Sequence, residues 1–427
     1  MNIGLNKFWS IASLPNLRVC FFMGVSVLAS SCAAPPASVA QRPNAPSAAV
    51  AFDAAIDYAV DDILVQAQRL PEFQPPTKNA VEAALNREAP PRKKIVVDAS
   101  LDGVSGQQTM ATRFLDTRLL ARAAAGFPQF EVTTLSSEKA AFVGRFLLAS
   151  TVTPIGEVSS KKQARFRVNL SLTDLQTGYV LAQSAVQTTE LGVDMTPTKF
   201  YQDSPSITRD RVVEGQVRTA QAKAGSEADG IYVSSLTVSA LIKEGSQFYD
   251  AGQFEQSLRA YEAAAARPDG KQLRVFNGLY LNNMQLGRSE AAENAFGRIV
   301  SLGLATNSLA VKFLFKAGST DFLADSKITT PYPMWLNVLA KEMGNAQLCV
   351  SVIGHSSHTG TENVNDRLSL ARASAVQRRL ESILPSLSSR LQPLGMGYRE
   401  NLIGTGSDDL RDSLDRRVEF RAINCLR

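Results

Sequence analysis

The chain contains a single long run of apolar residues, and this run lies near the amino terminus. It extends from Val19 to Ala29, reads VCFFMGVSVLA, and is preceded by the basic residues Lys7 and Arg18. Its eleven residues are too few to cross a hydrocarbon core about 30 Å thick as a helix. A basic stretch followed by a short apolar run and small residues is typical of a secretory signal, and a polytopic membrane fold is excluded.

The residues after this run place a cysteine where bacterial lipoproteins are processed. The pentapeptide LASSC, which ends at Cys32, resembles a lipobox, although the family usually has Leu where this chain has Ala29. The resemblance implies a signal peptide over residues 1–31 and three acyl chains on Cys32, which anchor a protein stably. Because Ala33 follows the cysteine, it also implies the outer membrane, on the periplasmic side. The alternative is an ordinary cleaved signal, with Cys32 incidental.

Two segments without a core of their own come next. Residues 32–50 are rich in Ala, Pro and Ser and lack an apolar period, which predicts a tether that reaches about 25 Å as a flexible coil. Residues 51–93 begin with apolar residues at helical spacing, separated by acidic ones, and Pro71 interrupts the pattern. We therefore predict an amphipathic helix followed by a Pro-rich linker.

The composition is that of a folded protein with several domains. The chain has 427 residues, 44% of them hydrophobic and 20% charged, and single cores stop growing beyond about 250–300 residues. The net charge of +5 comes without a run of Lys or Arg, so we expect no nucleic-acid partner. With only 2 His, no Gly-x-Ser-x-Gly sequence and no Gly-rich phosphate loop, we predict no metal site, no cofactor and no enzymatic activity.

Residues 94–230 have the pattern of an α/β domain. Short β-type runs at residues 95–97 and 130–132 lie on either side of a helical stretch from Gln107 to Ala125. Residues 164–172 then alternate apolar and polar side chains, as expected for a half-buried strand. Strands combined with one long helix indicate an α/β or α+β domain.

The order of these elements resembles a known lipoprotein domain. The hairpin turn Asp174-Leu-Gln-Thr-Gly178 matches the Asp-x-x-Thr-Gly turn of curli secretion proteins and penicillin-binding-protein activators. A generic hairpin with an Asp/Gly turn is the alternative. The polar segment from residue 196 to 230 is predicted to be a surface loop.

Residues 234–306 read as helices with an internal repeat. When Gly252 is aligned on Gly287, thirty-five residues later, Tyr261 falls on Phe296. This resembles tetratricopeptide repeats, whose period is about 34 residues. Two repeats are fewer than the three usually needed for stability, so we expect the pair to dock on a neighbouring domain. The resemblance implies a groove for a protein partner, and a helical spacer is the alternative.

The segment of residues 309–427 carries the most specific motif. The loop Gly354-His-Ser-Ser-His-Thr-Gly360 follows a β-type run and is followed by Asn365 and by Arg372-Ala. This resembles the OmpA-like peptidoglycan-binding domain, whose pattern is Gly-His-Thr-Asp-x-x-Gly and then Asn-x-x-Leu-Ser-x-x-Arg-Ala. The resemblance implies a βαβαββ fold with helices on a mixed sheet, and we expect a multidomain α+β protein overall.

The resemblance also implies a ligand, the diaminopimelate end of the peptidoglycan stem peptide, which carries an ammonium and a carboxylate. Arg372 holds the position of the arginine that forks onto the carboxylate, with charge-assisted hydrogen bonds worth about 1.5–3 kcal/mol each. Ser357 stands where the family has the Asp that neutralises the ammonium, so we expect binding roughly tenfold to a hundredfold weaker. The implied site comprises Gly354, His355, Ser357, Asn365, Leu368, Arg372 and Arg416.

The remaining histidines and cysteines of this segment allow two further inferences. His355 and His358 are three residues apart, but no acid or thiol in the loop completes a ligand set, so we expect local hydrogen bonds instead of a metal. Cys349 lies in one strand and Cys425 follows the last strand. In the OmpA-like fold those strands are close and the periplasm is oxidising, so the resemblance implies a disulfide.

These features predict an outer-membrane-anchored periplasmic lipoprotein that binds peptidoglycan and scaffolds an envelope assembly. The alternative is a regulatory lipoprotein, in which the α/β and repeat domains activate a cell-wall synthase or a secretion partner. In that case the OmpA-like domain binds peptidoglycan weakly or not at all. Both readings imply an envelope protein as a partner, whose identity the sequence leaves open.

Overall fold

The computed structural model describes residues 41–74, 92–137, 144–155, 165–316, 318–402 and 415–425. The predicted signal peptide, Cys32 and the first part of the tether lie outside these ranges. Within them, no helix combines the length and the apolar character needed to cross a bilayer. The mixed α+β fold expected from the sequence is confirmed, with two separate sheets.

The first sheet belongs to the predicted α/β domain. Its strands are β1 (Lys93–Val97), β2 (Leu101–Asp102), β3 (Phe130–Thr134), β4 (Phe146–Ile155), β5 (Arg165–Asp174) and β6 (Tyr179–Thr189). The strand order is β3-β1-β4-β5-β6, with β2 beside β4. β1 is parallel to both β3 and β4, whereas β4, β5 and β6 form an antiparallel meander. The alternating residues of β5, from Phe166 to Leu172, are buried as predicted.

One face of this sheet is covered by α1 (Phe52–Arg69) and α2 (Met110–Gly126). The two helices are also linked on their polar sides, where Arg118 donates to both carboxylate oxygens of Asp57 at 2.7 and 2.6 Å. The helix that the sequence placed ahead of the domain is therefore packed into its core. The end of the tether is also in contact, because Arg42 pairs with Asp62 and Val50 bridges to β6.

The segment from residue 196 to 230 corrects the prediction of a surface loop, because it contains α3 (Lys199–Asp203) and α4 (Arg211–Ala220). Asp210 caps α4, its side chain accepting hydrogen bonds from the backbone of residues 212 and 213 at 3.1 Å. The helix then packs on β4 and β5, and Val213 and Val217 are buried. This apolar face is only ten residues long and is surrounded by polar residues, which hid it from a pattern search.

Helices continue with α5 (Gly230–Ser234), α6 (Leu236–Asp250), α7 (Phe254–Ala265), α8 (Leu273–Gln285) and α9 (Ser289–Ala305). The aligned glycines Gly252 and Gly287 occupy equivalent turns, with φ of +73° and +71°. The aligned aromatic residues Tyr261 and Phe296 are both fully buried. The internal repeat is therefore visible in the structure, while its assignment to tetratricopeptide repeats stays a prediction.

The second sheet contains β7 (Leu309–Val311), β8 (Cys349–Gly354), β9 (Leu391–Gly395) and β10 (Val418–Ile423), in the order β7-β10-β8-β9. The helices of this part are α10 (Ser326–Thr329), α11 (Tyr332–Ala346) and α12 (Glu362–Ile383). β8 is parallel to β9 and antiparallel to β10. The predicted βαβαββ order on a mixed sheet is confirmed. A disulfide joins Cys349 to Cys425, with their Cα atoms 5.1 Å apart.

A single hydrophobic core joins the helical segment to this second sheet. Trp335 of α11 donates to the Tyr280 hydroxyl of α8 at 2.8 Å, and its ring stacks 5.5 Å from the ring of Phe296. Lys312, just after β7, donates to the carbonyl oxygens of Tyr201 and Gln202 at 2.8 and 2.9 Å. Because the predicted boundary near residue 309 crosses this core, experiments on the C-terminal domain require the longer chain.

Candidate functional site

The motif loop of residues 355–361 lies between β8 and α12, and glycines allow the close packing that holds it there. A Cβ on Gly354 would overlap the carbonyl oxygen of Ser369, and a Cβ on Gly395 would collide with the backbone of Leu370. The ends of β8 and β9 therefore approach α12 more closely than any side chain would permit. This explains why the motif begins with glycine.

Asn365 fixes the shape of the loop. Its buried side-chain amide donates to the carbonyl oxygens of Thr359 and Thr361 at 2.7 and 3.1 Å. Ser369 accepts a hydrogen bond from the backbone of Gly397 at 2.9 Å, which ties the neighbouring turn to the same helix. The Asn and Ser of the motif therefore hold the loop in place instead of presenting free polar groups.

Ser357, at the position of the family's Asp, supplies no charge. Its hydroxyl lies 3.4 Å from that of Thr359, and only 5% of the residue is exposed. His358 follows it and packs its ring 4.1 Å from the ring of Tyr398. The side of the loop that would meet an ammonium thus presents no carboxylate at these two positions.

Arg372 points into the domain from α12. Its Nε donates to the carbonyl oxygen of Ser319 and one terminal nitrogen donates to that of Lys316, both at 3.2 Å. The guanidinium lies 5.0 Å from the centre of the Phe315 ring, and the residue is 4% exposed. These contacts attach the segment that follows β7 to α12, so Arg372 has a structural role besides the binding role predicted from the motif.

His355 lies at the base of the loop in an ionic network that the sequence did not predict. It is 1% exposed, and its Nε2 lies 3.4 Å from Glu419 Oε1 without hydrogen-bond geometry. Burial lowers the pKa of His355. Burial also acts to raise the pKa of Glu419, but His355, Arg417 and Arg421 outweigh it and the net pKa is lowered.

This network also bears on metal binding. The ligand atoms of His355, Glu400 and Glu419 lie within 4.8 Å of one another, a spacing compatible with a cation. However, Arg417 reaches Glu419 at 2.7 Å, and Arg421 reaches both Glu419 and Glu400 at 2.6 and 3.0 Å. Two guanidinium groups already balance the two carboxylates, so a divalent cation would be repelled or would have to displace them. We assign this cluster to the internal support of the loop.

The structure places Gly354 at the end of β8, His355 and Ser357 in the loop that follows, and Asn365 and Arg372 on α12. Leu368 and Arg416 are half-buried, and the loop-shaping hydrogen bonds described above come from other residues. Sequence reasoning missed the ionic network under the loop, including Arg417, whose carbonyl oxygen accepts from the His355 backbone at 3.1 Å. Its signal was the two-residue spacing from Glu419, because Arg417 directly precedes β10 and alternate residues of an extended chain lie on one side.

One comparison with known protein families matches this part of the chain. Residues 314–413 match the model of the OmpA family, so the chain carries an OmpA-family domain in its C-terminal part. No curated protein matches the chain.

Two solved structures are similar to part of the chain. The peptidoglycan-associated lipoprotein from Burkholderia pseudomallei is 22% identical over 27% of this chain and 89% of that chain, with a TM-score of 0.23. An outer membrane protein from Borrelia burgdorferi B31 is 20% identical over 27% of this chain and 88% of that chain, with a TM-score of 0.21.

Proposed function

We propose that this protein is a peptidoglycan-associated protein of the bacterial envelope, which contacts the cell wall through its OmpA-family domain. The observation that carries the proposal is the family match over residues 314–413, combined with a motif loop whose Gly354, Asn365 and Arg372 hold their family positions. The role is non-catalytic: the protein binds and scaffolds. Its anchor is lipid on Cys32 in the outer membrane.

The proposed site carries a positive charge at one end and is neutral at the other. Arg372 supplies the cation for the carboxylate of the stem peptide, and that cation is desolvated beside Phe315, where an ion pair is stronger than in water. The ammonium of the stem peptide meets the neutral Ser357. Binding by one domain is therefore weak, and attachment to the outer membrane offsets this by keeping the domain at a high local concentration beside the wall.

A regulatory role is the second candidate, and one structural feature favours it. The helical segment shares its core with the OmpA-family domain and also packs against the α/β domain, where Arg113 of α2 pairs with Asp250 of α6. A partner bound to the N-terminal part would therefore contact elements that are packed, through the helical segment, against the wall-binding domain. Co-purification of a synthase after in vivo cross-linking supports this role, whereas recovery of wall fragments alone supports scaffolding.

The test of the proposed function is co-sedimentation of the full mature protein with purified peptidoglycan sacculi in mild detergent. Arg372→Lys keeps the charge but loses the planar fork, so retention should fall roughly tenfold. Arg378→Lys, at an exposed position on the same helix, is the matched control and should leave retention unchanged. Equal retention of the two variants, or no retention of the unmodified protein, would reject binding through this site.

A further inference from the structure

A polar crevice opens in the α/β domain at the carboxyl ends of β1 and β3. The chain leaves β1 through α2 to reach β3 on one side, while β4 pairs with β1 on the other side. In open α/β sheets such a reversal of strand order leaves a gap above the strand ends, where ligands bind. Here the gap is a cavity of about 490 Å³, closed on its far side by α6.

Three carboxylates line this crevice: Asp98, Asp116 and Asp250. Asp98 follows β1 and is 2% exposed; its oxygens accept from the Tyr232 hydroxyl and from the Ala99 backbone, both at 2.8 Å. Asp116 of α2 accepts from the backbone and the hydroxyl of Ser100. A carboxylate can accept about four hydrogen bonds, and neither Asp98 nor Asp116 has an ion pair within the described residues.

The cations that line the crevice form no ion pair with Asp98 or Asp116 within the described residues. Arg113 is committed to Asp250, which in turn accepts from the backbone of Phe200 at 2.7 Å. Lys243 of α6 also lines the crevice, but among the described residues it comes within ion-pair distance of no carboxylate. The formal balance of charge is therefore negative, because the three acids Asp98, Asp116 and Asp250 stand against the two cations Arg113 and Lys243.

The titration behaviour of these groups agrees with their geometry. Burial raises the pKa of Asp116 to about 7, against the opposing effect of its hydrogen bonds to Ser100. Burial also raises the pKa of Asp98 and lowers that of Lys243. The site thus gathers titratable groups whose charged forms are disfavoured by burial, and groups of this kind are typical of functional sites.

We propose that this crevice binds a small organic amine, whose ammonium lies against Asp98 and Asp116 and whose hydrocarbon part lies along Val97 and Leu120. The size fits, because a cavity of about 490 Å³ exceeds the needs of a bare cation and falls within the usual range for small-molecule sites. The apolar wall also fits, since Val97 and Leu120 both line the cavity. This proposal is independent of peptidoglycan binding by the C-terminal domain.

The test is isothermal titration of the full mature protein with three probes of one shape: butylamine, butyrate and butanol. Butylamine should bind and the other two should not. Asp116→Asn should weaken butylamine binding roughly tenfold, since one charge-assisted contact is lost. Asp321→Asn, an exposed acid in the C-terminal part, is the matched control and should change nothing.

A second variant keeps the proposal falsifiable if Asp116→Asn fails to fold. Lys243→Met removes the cation that competes with the ligand, so butylamine should bind several-fold more tightly. Weaker butylamine binding by this variant, a preference of the unmodified protein for butyrate, or no heat from butylamine would each overturn the proposal.

Discussion

The motif loop and the N-terminal crevice differ in whether a sequence motif marks the site and in whether its polar residues are already bonded within the fold. The loop carries a recognisable family motif, yet its polar residues are largely committed to internal contacts, as with Asn365 and Arg372. The crevice carries no motif, yet within the described residues Asp98, Asp116 and Lys243 line it without forming an ion pair. A motif therefore reports the fold reliably, whereas a site is better judged from which charges lack partners.

The largest expected effect concerns the glycine that allows the motif loop to pack. Gly354→Ala places a methyl group on the carbonyl oxygen of Ser369, so we expect a loss of about 3 kcal/mol in the free energy of unfolding. Urea unfolding of the full mature protein measures it. Gly126→Ala, where nothing lies within 4 Å of the added methyl group, is the control and should be neutral or slightly stabilising. Similar values for both variants would mean that the loop is not closely packed.

A smaller effect is expected for the guanidinium inside the C-terminal domain. Arg372→Met leaves the carbonyl oxygens of Lys316 and Ser319 without these donors, which should cost about 2 kcal/mol of stability. Arg378→Met, exposed on the same helix, should stay within about 0.5 kcal/mol of the unmodified protein. If the two variants unfold at the same urea concentration, Arg372 does not hold the segment that follows β7, and the contrast with the crevice disappears.

The smallest effect is the pH dependence contributed by Asp116, because this group borders an open crevice where solvent screens its interactions. Its folded pKa of about 7 lies above the unfolded value of about 3.9. The folded state therefore binds the extra proton, and stability from this group is lost as the pH rises from about 4 to 7. Asp98 and Lys243 face it, and the raised pKa of Asp98 adds a slope of the same sign.

Urea unfolding at several pH values between 4.5 and 7.5 isolates the contribution of Asp116. The difference in stability between the unmodified protein and Asp116→Asn should shift in favour of the variant as the pH rises. A stability difference that does not change with pH would mean that the Asp116 carboxyl is exposed to solvent and has no raised pKa. The same carboxyl should make butylamine binding stronger as the pH rises through 7, since only the ionised form attracts the ammonium.

The sequence predicted those parts of the fold that local patterns determine. The alternation of β5 and the βαβαββ order of the C-terminal part follow from the period of apolar residues and from the motif. The same approach failed for α4, because a helix of only ten residues with a polar overall composition, between polar flanks, is easily taken for a loop.

The candidate sites were predictable only in part. The motif located the loop, but the inward position of Arg372 depends on carbonyl groups more than fifty residues earlier in the chain. The crevice gathers Asp98, Asp116 and Lys243 from two helices and a strand end, and only the packing of α6 on the sheet brings them together. Such contacts between distant parts of the chain leave no trace in local patterns.

The central claim is that the OmpA-family domain binds the cell wall weakly because a neutral serine replaces a carboxylate. The most direct measurement compares the affinity of the unmodified mature protein and of Ser357→Asp for purified sacculi, with thermal unfolding to verify that the variant folds. The account predicts measurable binding by the unmodified protein and roughly tenfold to a hundredfold tighter binding by the variant. A folded variant with unchanged or weaker affinity would contradict it.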